Sequence, residues 1–533
     1  MASKKQMEQW KTMIQKYTSR FNKAKNAVLP KHSIWVELDQ FDRGEQWKDL
    51  NIPPWVPKPV TNYIRYVRTH KRANLASIIP EARFTAVYRE DEEIINRIQK
   101  AYKHVWDTER VSRKIRRAID RALLHGTAIM YIYTDTTEVM GRYFGEGDPR
   151  NQLYQGRIKV EQWPITNFFP DPDADRLDKC KWIETTEVVP LSWVKENPEF
   201  RRFCEENGVL KKLDALSTDL LEREDSASGT IFKRDTKVTE NSPPIEGDEM
   251  VTLHRHWERY FKDGKWRLDV TYYLPGLDFP LLRVEDLKPN EYPFAVLYDE
   301  EEDGEFWGTS ICMDVLENQK IINKLQQTAS IIGVLHQNPQ KIVYRESGIN
   351  AQELARTGTL PGKVCTSNIP PQQAIHVLEP MDIPRGLFEL EARTAASIRE
   401  IIGINEAYTG ESVGSLTTST GVSELIERAT IRDRDKAIQI DEFVERISHL
   451  IAKNIIIHWQ DERPITIQGP NGQVEYDTWT PIDEALAENL EWRVKSNVYV
   501  KAPLTQAARR QQADKLMQMQ GQFQFDPPII TPE

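Results

Sequence analysis

Two histidines that alternate along one predicted strand are the side chains best placed for metal chemistry. His254 and His256 are two positions apart, so on a strand they share one face, and their imidazole nitrogens could reach a common ion. No cysteine or carboxylate stands at a spacing that would complete the ligand set. The sequence therefore predicts no metal site.

A glycine-rich segment is the nearest approach to a nucleotide site. Residues 358–364 read G-T-L-P-G-K-V, with one residue too few between the glycines for a phosphate-binding loop and a valine where a hydroxyl must hold magnesium. Among the 81 acidic residues of the chain, no pair can be singled out for acid–base chemistry without a pocket. We therefore predict no catalytic residue and no cofactor.

Neither the cysteines nor the main acidic run indicates a ligand site. Cys180, Cys204, Cys312 and Cys365 are far apart and form no C-x-x-C pair, which predicts free, buried thiols. The acidic residues 299–303 precede a predicted helix. We expect them to be solvated and to favour the N-terminal end of that helix through its dipole.

Composition limits the class of protein. The chain has 533 residues, 39% of them hydrophobic, and a formal net charge of −10. These values allow packed cores but argue against a surface that grips nucleic acid everywhere. No stretch approaches the roughly 20 apolar residues of a membrane span, and the start, MASKKQMEQWK, is charged where a signal peptide is apolar. We expect a soluble protein made in the cytosol, without a membrane partner.

The elements of the first 300 residues predict an α+β body. A basic helix is expected to end at Pro30, and an aromatic, acidic segment to follow it. A polar stretch over residues 218–248 is typical of a mobile excursion. Further helices are predicted over residues 62–79 and 91–124, and strands at residues 128–133, 157–161 and 267–274.

A long amphipathic helix is predicted from a cap at Ser310 to His336. At ~1.5 Å per residue it would span roughly 40 Å. Its apolar stripe recurs at intervals of three, four or seven: Ile311, Val315, Ile322, Leu325, Ala329 and Ile332. Its opposite face is polar: Lys320, Asn323, Lys324 and Gln327.

The chain after this helix alternates short strands, helices and one long loop. Strands are predicted at residues 341–344 and 374–378, and a helix over 384–402 that Gly403 ends. Residues 404–421 are rich in Gly, Ser and Thr, which predicts a flexible loop of functional importance. A charged helix over 422–459, a hairpin at 469–472 and a helix over 505–519 complete the chain.

This order of elements resembles the portal proteins of tailed double-stranded-DNA bacteriophages, and three local motifs support it. Residues 41–47 (F-D-R-G-E-Q-W) are similar to an early aromatic, Gly and Gln-Trp pattern of these proteins. Residues 163–172 (W-P-I-T-N-F-F-P-D-P) resemble a second family segment. Gly308-Thr309-Ser310, followed by Gln319 and Asn323, resembles the G-x-S and Q-x-x-x-N pattern at the start of the family's stem.

The resemblance implies a portal-like ring subunit with a mixed α/β wing, a long helical stem, a small strand-containing clip and an α-helical crown. The implied divisions are a wing at 1–305, a stem helix at 306–337, a clip at 338–380, a returning stem helix at 381–403, a tunnel loop at 404–421, a wing helix and hairpin at 422–500, and a short or truncated crown at 501–533.

Residue roles follow from these divisions. We expect the tunnel loop to meet DNA through Tyr408, Glu411, Ser412, Ser415, Leu416, Thr417 and Thr418. Clip contacts to partners are expected from Arg345, Glu346, Arg356 and Lys363. Ile322, Leu325 and Ile332 are expected to pack the stem.

The function implied by the resemblance is structural and not enzymatic. The family forms a dodecameric ring at one capsid vertex of the virion, assembled in the host bacterial cytoplasm, through which double-stranded DNA enters and leaves. Its partners are the terminase large subunit, head–tail adaptor or tail proteins, and the major capsid and scaffolding proteins. Because each phosphate contact strengthens DNA binding, a net acidic ring suits sliding.

Two other classes remain as alternatives. Another phage connector or adaptor would share the place in the virion but lack the order of stem, clip and tunnel loop. A multidomain hydrolase acting on carbohydrates is suggested by the 14 tryptophans and the many carboxylates. A ring with a central hole would exclude the hydrolase.

Overall fold

A computed structural model describes residues 4–75, 81–142, 152–216, 250–357, 364–378, 382–403, 419–468, 473–483, 486 and 490–496. Within them the fold is mixed α+β, as predicted. The helices are α1 Lys4–Arg43, α2 Tyr63–Leu75, α3 Glu92–Thr108, α4 Val111–His125, α5 Leu191–Glu196, α6 Pro198–Glu206, α7 Leu210–Asp214, α8 Ile311–Gln337, α9 Ala351–Thr357, α10 Pro371–Ala374, α11 Arg385–Ile402 and α12 Ser419–His458.

The strands form five antiparallel sheets, and the two largest make the body of the molecule. The strands are β1 Ala82–Ala86, β2 Thr127–Arg142, β3 Gln152–Trp163, β4 Phe168–Pro170, β5 Trp182–Pro190, β6 Met250–Lys262, β7 Lys265–Tyr273, β8 Leu282–Val284, β9 Phe294–Tyr298, β10 Lys341–Val343, β11 Ile375–Val377, β12 Arg463–Gln468, β13 Val474–Trp479 and β14 Trp492–Ser496. Their orders are β3-β2-β9 and β4-β5-β6-β7-β8, with two-stranded sheets β1-β14, β10-β11 and β12-β13.

The first helix is longer than predicted. Pro30 lies inside α1, which continues to Arg43, so the expected end at Pro30 and the irregular segment after it are wrong up to that residue. The buried residues of α1 recur every three or four positions on both sides of Pro30, from Trp10 to Phe41. Packing of this continuous stripe on the sheets outweighs the ~3 kcal/mol that proline costs inside a helix.

The predicted helix over residues 91–124 is two helices. The break falls at Arg110, whose φ of 50° is left-handed, and α4 then ends at Gly126 with a φ of 83°. One helical period with a single reversal in it reads as a continuous helix in the sequence, because a left-handed arginine carries no residue-type signal.

The helical hairpin of α8 and α11 is as predicted. Helix α8 begins at Ile311 after a Ser310 cap, and α11 ends at Gly403, whose φ is 71°. The strands β10 and β11 follow α8 and precede α11, and they pair antiparallel. The two helices therefore run in opposite directions, with the small sheet at their far end.

Helix α12 contributes the longest stretch of the main core. Its apolar residues from Ile440 to Trp459 pack with α3, α4 and the first half of α8. It begins at Ser419, three residues before the predicted start. The strands β12 and β13 flank residues 469–472 and pair antiparallel, which confirms the predicted hairpin strands.

Some expectations lie outside the described residues: the mobile excursion at 218–248, the loop at 404–418 and the last helix at 505–519. All four cysteines are free, as predicted, but Cys365 is exposed and only the other three are buried. In the described part of the chain, every helix is too short or too polar to cross a membrane.

Candidate functional site: the base of the helical hairpin

The start of α8 is fixed by side chains from three other elements. Ser310 Oγ accepts a hydrogen bond from Met313 N (3.1 Å) and donates one to the carbonyl oxygen of Leu124 (3.0 Å). Asp299 accepts a hydrogen bond from Ile311 N (3.0 Å) and forms an ion pair with Lys436 of α12. The helix entry is therefore attached to α4 and α12 at once.

Asp299 corrects one expectation about the acidic run. It does favour the N-terminal end of the helix, as predicted, but it is buried and not solvated. Its partner Lys436 is also largely buried. Removal of Lys436 would leave a buried carboxylate with fewer partners, a change that typically costs several kcal/mol.

Two glycines allow the chain to cross itself just before α8. A Cβ at Gly308 would lie 2.5 Å from the carbonyl oxygen of Glu300 and 2.9 Å from that of Gly126. A Cβ at Gly126 would overlap the carbonyl of Gly308. The backbones at these two positions approach too closely for any side chain, which explains the glycine of the G-x-S motif, while Ser310 explains its serine.

A buried amide network explains the Q-x-x-x-N motif. Gln319 Oε1 accepts from Tyr63 N (2.7 Å), and its Nε2 donates to Thr61 O (2.8 Å) and to Asn323 Oδ1 (2.9 Å). Asn323 Nδ2 donates to Gln46 Oε1. Gln46 belongs to the motif at residues 41–47, so the structure joins two of the three motifs in one hydrogen-bond network.

The third motif packs beside the same helix start. Phe168 lies 5.1 Å from Phe294, 5.9 Å from Phe306 and 6.3 Å from Trp307, measured between ring centroids. Trp35 of α1 contacts Trp307 at 4.9 Å. Phe306 and Trp307 directly precede Gly308, so all three motifs converge on the base of the hairpin.

Asn323 is a correction to the predicted polar face of α8. Only 4% of it is exposed, and it lies in the amide network, because hydrogen bonds to Gln319 and Gln46 offset the cost of burying an amide. Lys320 forms ion pairs with Glu37 and Glu317 (both 2.8 Å), and Lys324 is exposed.

The predicted polar residues share a groove with the N-terminal part of the chain. Lys320, Asn323, Lys324 and Gln327 line one side of a cavity of about 1310 Å³, and α1 with residues 45–52 lines the other. Gln327 Nε2 donates to Pro57 O (3.4 Å). This part of the polar face therefore meets the chain's own N-terminal region.

The outer half of the hairpin leaves apolar side chains incompletely covered. Ile322 is buried, whereas Leu325 and Ile332 are only half-buried. Ile331, Val334 and Leu335 are also half-buried, and α11 exposes Phe388 and Leu390. A two-helix hairpin cannot cover both of its faces, so these residues are available to neighbouring copies.

The segment predicted as the clip ends the hairpin in a small sheet. Lys341 pairs with Val377, and Val343 with Ile375. Arg345, Glu346 and Arg356 are exposed, as a contact surface requires. Lys363 lies outside the described residues, as do all seven predicted tunnel-loop residues.

The histidine pair has a partner that sequence reasoning missed. Glu184 of β5 accepts from His254 Nδ1 (3.1 Å) and His256 Nδ1 (2.6 Å). Burial raises the pKa of Glu184, but the two imidazole hydrogen bonds outweigh it and hold that pKa below its ordinary value. Among the described residues no group of three or more His, Cys, Asp or Glu could hold a metal ion. The pairing of β5 with β6, which brings Glu184 opposite His256, has no local sequence signal.

Replacing Asn323 with alanine tests the amide network. The substitution leaves buried polar atoms of Gln319 and Gln46 without their partner, so we expect a loss of about 1–3 kcal/mol in unfolding free energy. The shift of the urea unfolding midpoint measures it. Lys324→Ala, one position along and exposed, is the control and should change stability by less than about 0.5 kcal/mol. Equal effects of both substitutions would show that the network does not stabilise the hairpin base.

Comparison with known proteins gives one match. A family model described as phage SU10 portal protein matches residues 147–533. The match includes the whole helical hairpin and the small sheet at its end. No curated protein matches the chain significantly.

Proposed function

The chain belongs to the phage SU10 portal protein family, and from this premise we propose that double-stranded DNA is packaged and ejected through the ring that its copies form. Portal proteins are structural, ring-forming subunits of the phage capsid vertex, and this chain is one of them. We further propose a ring of twelve copies. The terminase large subunit docks on it during packaging, head–tail adaptor or tail proteins bind afterwards, and the major capsid and scaffolding proteins surround it.

The proposed divisions of the chain are those implied by its order of elements. The wing comprises residues 1–305, the stem 306–337 and 381–403, and the clip 338–380. The tunnel loop comprises residues 404–421, the wing helix and hairpin 422–500, and the crown 501–533. The hairpin of α8 and α11, with β10 and β11 at its end, is what one stem and clip unit requires.

The observation that carries the proposal is the contrast between the two ends of the hairpin. Its base is fixed by the Ser310 cap, the Asp299–Lys436 ion pair and the amide network around Asn323. Its outer half exposes or half-exposes Leu325, Ile332 and Phe388. Identical hairpins packed side by side around an axis would cover these side chains, and each rigid base would set the angle of its hairpin.

Charge supports passage of DNA over tight binding. Each chain has a formal net charge of −10, so a closed ring of copies repels the phosphate backbone unless positive residues are concentrated locally. Tight binding needs many phosphate contacts. A ring with few of them would let DNA slide while the terminase supplies the energy.

Alanine substitutions in the proposed clip test partner docking. Replacing Arg345, Glu346, Arg356 and Lys363 together should leave rings intact, because the three described members are exposed and belong to no core. Binding of the terminase large subunit should weaken roughly tenfold or more, since charged interface anchors often contribute over 1 kcal/mol each. Surface-plasmon measurement on purified rings checks the affinity. Unchanged binding would remove these residues from the interface.

Shortening the proposed tunnel loop tests contact with DNA. The segment 404–421 has glycines at 410, 414 and 421 and hydroxyls at 412, 415 and 417–419, so it can change conformation and meet phosphates without the strong salt-dependent attraction of Lys or Arg. Removing residues 411–418 should permit ring assembly but lower the fraction of capsids that retain a full genome. Normal retention would make the segment a connection without a DNA role.

A further inference from the structure

Helices α2 and α4 carry a concentration of positive charge that the proposed function does not use. Helix α2 contains four Lys or Arg residues and no acid. Helix α4 contains five and a single acid, Asp120. The two helices pack against each other in a chain whose net charge is −10. Their charge is therefore opposite to that of the molecule as a whole.

The arginines of α4 lie together on its outward face. The inward face buries Val111, Ile115, Ala118, Ile119 and Ala122. Arg113, Arg116 and Arg117 are exposed, and Arg110 is exposed at the turn before the helix. Residues three, four and seven positions apart share one side of a helix, so these four guanidinium groups project from one strip about 10 Å long.

The charged residues around this strip are paired, and the strip is not. Arg68 and Arg72 bind Asp120, Lys114 binds Glu109, and Arg121 binds Asp39. In the described part of the chain, no carboxylate lies within ion-pair distance of Arg110, Arg113, Arg116 or Arg117. Like charges three or four positions apart destabilise a helix slightly, so the arrangement has a cost that only an anionic partner offsets.

The chemistry of the strip favours a phosphate backbone over an acidic protein. Protein interfaces depend on apolar and aromatic anchors at their centre, and α4 exposes no large hydrophobic side chain. Its four exposed cations are all arginine, whose planar group binds phosphate oxygens in pairs. Polar, strongly positive surfaces without an apolar centre are typical of contacts with DNA.

We propose that the strip Arg110, Arg113, Arg116 and Arg117 binds the phosphate backbone of double-stranded DNA, at a place separate from the loop 404–421. The binding is independent of base sequence, because the strip offers charge but no set of amides to read base edges. The inference rests on the proposed function in that DNA passes through or lies beside the ring. It adds the surface on which DNA is held.

Fluorescence anisotropy with a duplex of about 30 base pairs tests the inference, using purified rings between about 50 and 200 mM salt. The variant is Arg113→Gln/Arg116→Gln/Arg117→Gln. We expect its affinity to fall at least ~10-fold at 0.1 M salt and the slope of log K against log salt to shrink by about 2–3, close to 0.9 for each lost phosphate contact.

The matched control is Lys211→Gln/Lys212→Gln/Lys262→Gln, which removes the same charge from exposed positions elsewhere. It should stay within about twofold of wild type. Equal loss in both variants would show a general charge effect and overturn the inference. So would an unchanged arginine variant, including one that has lost binding to polyglutamate while retaining DNA.

Electron microscopy of each preparation separates this inference from the proposed function. Rings that form in the arginine variant but bind DNA like wild type would overturn the inference alone. Wild-type protein that forms no ring would overturn the proposed function, whatever the result with DNA.

Discussion

Replacing Leu325 with aspartate will prevent ring assembly while leaving the subunit folded. Leu325 is half-buried within one chain, so the new carboxylate can reach solvent in a single subunit. Between packed hairpins of a ring it would be buried without a partner, which costs several kcal/mol at each of the repeated interfaces. Analytical ultracentrifugation should find single subunits or aggregates in place of rings.

Leu325→Met is the control for this substitution. Methionine has nearly the same volume and remains apolar, so its cost should stay below about 1.5 kcal/mol and rings should persist. Circular dichroism of Leu325→Asp should match that of wild type, because the residue lies beyond the buried base of α8. Rings of normal stability in the aspartate variant would show that this face of the stem is not an interface.

Replacing Gly126 with alanine will be among the most destabilising single substitutions outside the stem. Its φ of 83° disfavours any side chain by ~1–2 kcal/mol. A Cβ would also overlap the Gly308 carbonyl, and relief of such a clash typically costs ~1–3 kcal/mol more. We expect a total loss of about 2–5 kcal/mol in unfolding free energy, measured by urea unfolding.

Gly304→Ala is a closely matched control. Gly304 has a φ of 81°, but a Cβ there would meet nothing within 4 Å. It should therefore show only the backbone cost of ~1–2 kcal/mol. The difference between the two variants isolates the crossing of the chain before α8. Equal losses would mean that the backbone absorbs the clash and that the crossing does not hold the stem base in place.

The sequence predicted those elements whose signals are local. The Ser310 cap, the apolar spacing of α8 and the Gly403 end of α11 all depend on residues within a turn or two of each other. The short strands β10 and β11 were predicted from their β-branched residues and flanking turns. Each was found within one or two residues of its expected bounds.

The errors came where distant packing outweighs local preference. Pro30 is a helix-ending residue by type, yet the buried stripe of α1 continues through it. Asn323 was placed on a polar face because amides are usually exposed, but Gln46, 277 positions away, gives it a buried partner. Glu184 was missed because only the pairing of β5 with β6 brings it to the histidines.

The candidate site could be predicted as a set of motifs but not as one place. Residues 41–47, 163–172 and 308–323 stand far apart in the sequence, and each motif by itself is short. The structure brings all three to the base of α8, where the glycines permit a backbone crossing, the amides form a network and the aromatics pack. Their convergence gives each motif a physical reason.

Electron microscopy of the purified protein, combined with its native mass, tests the central claim most directly. We expect closed rings with a central channel and a mass about twelve times the 62.0 kDa of one chain, with the α8–α11 hairpins packed side by side around the axis. A particle with the mass of a single chain and no channel, at concentrations where portal rings persist, would contradict the account.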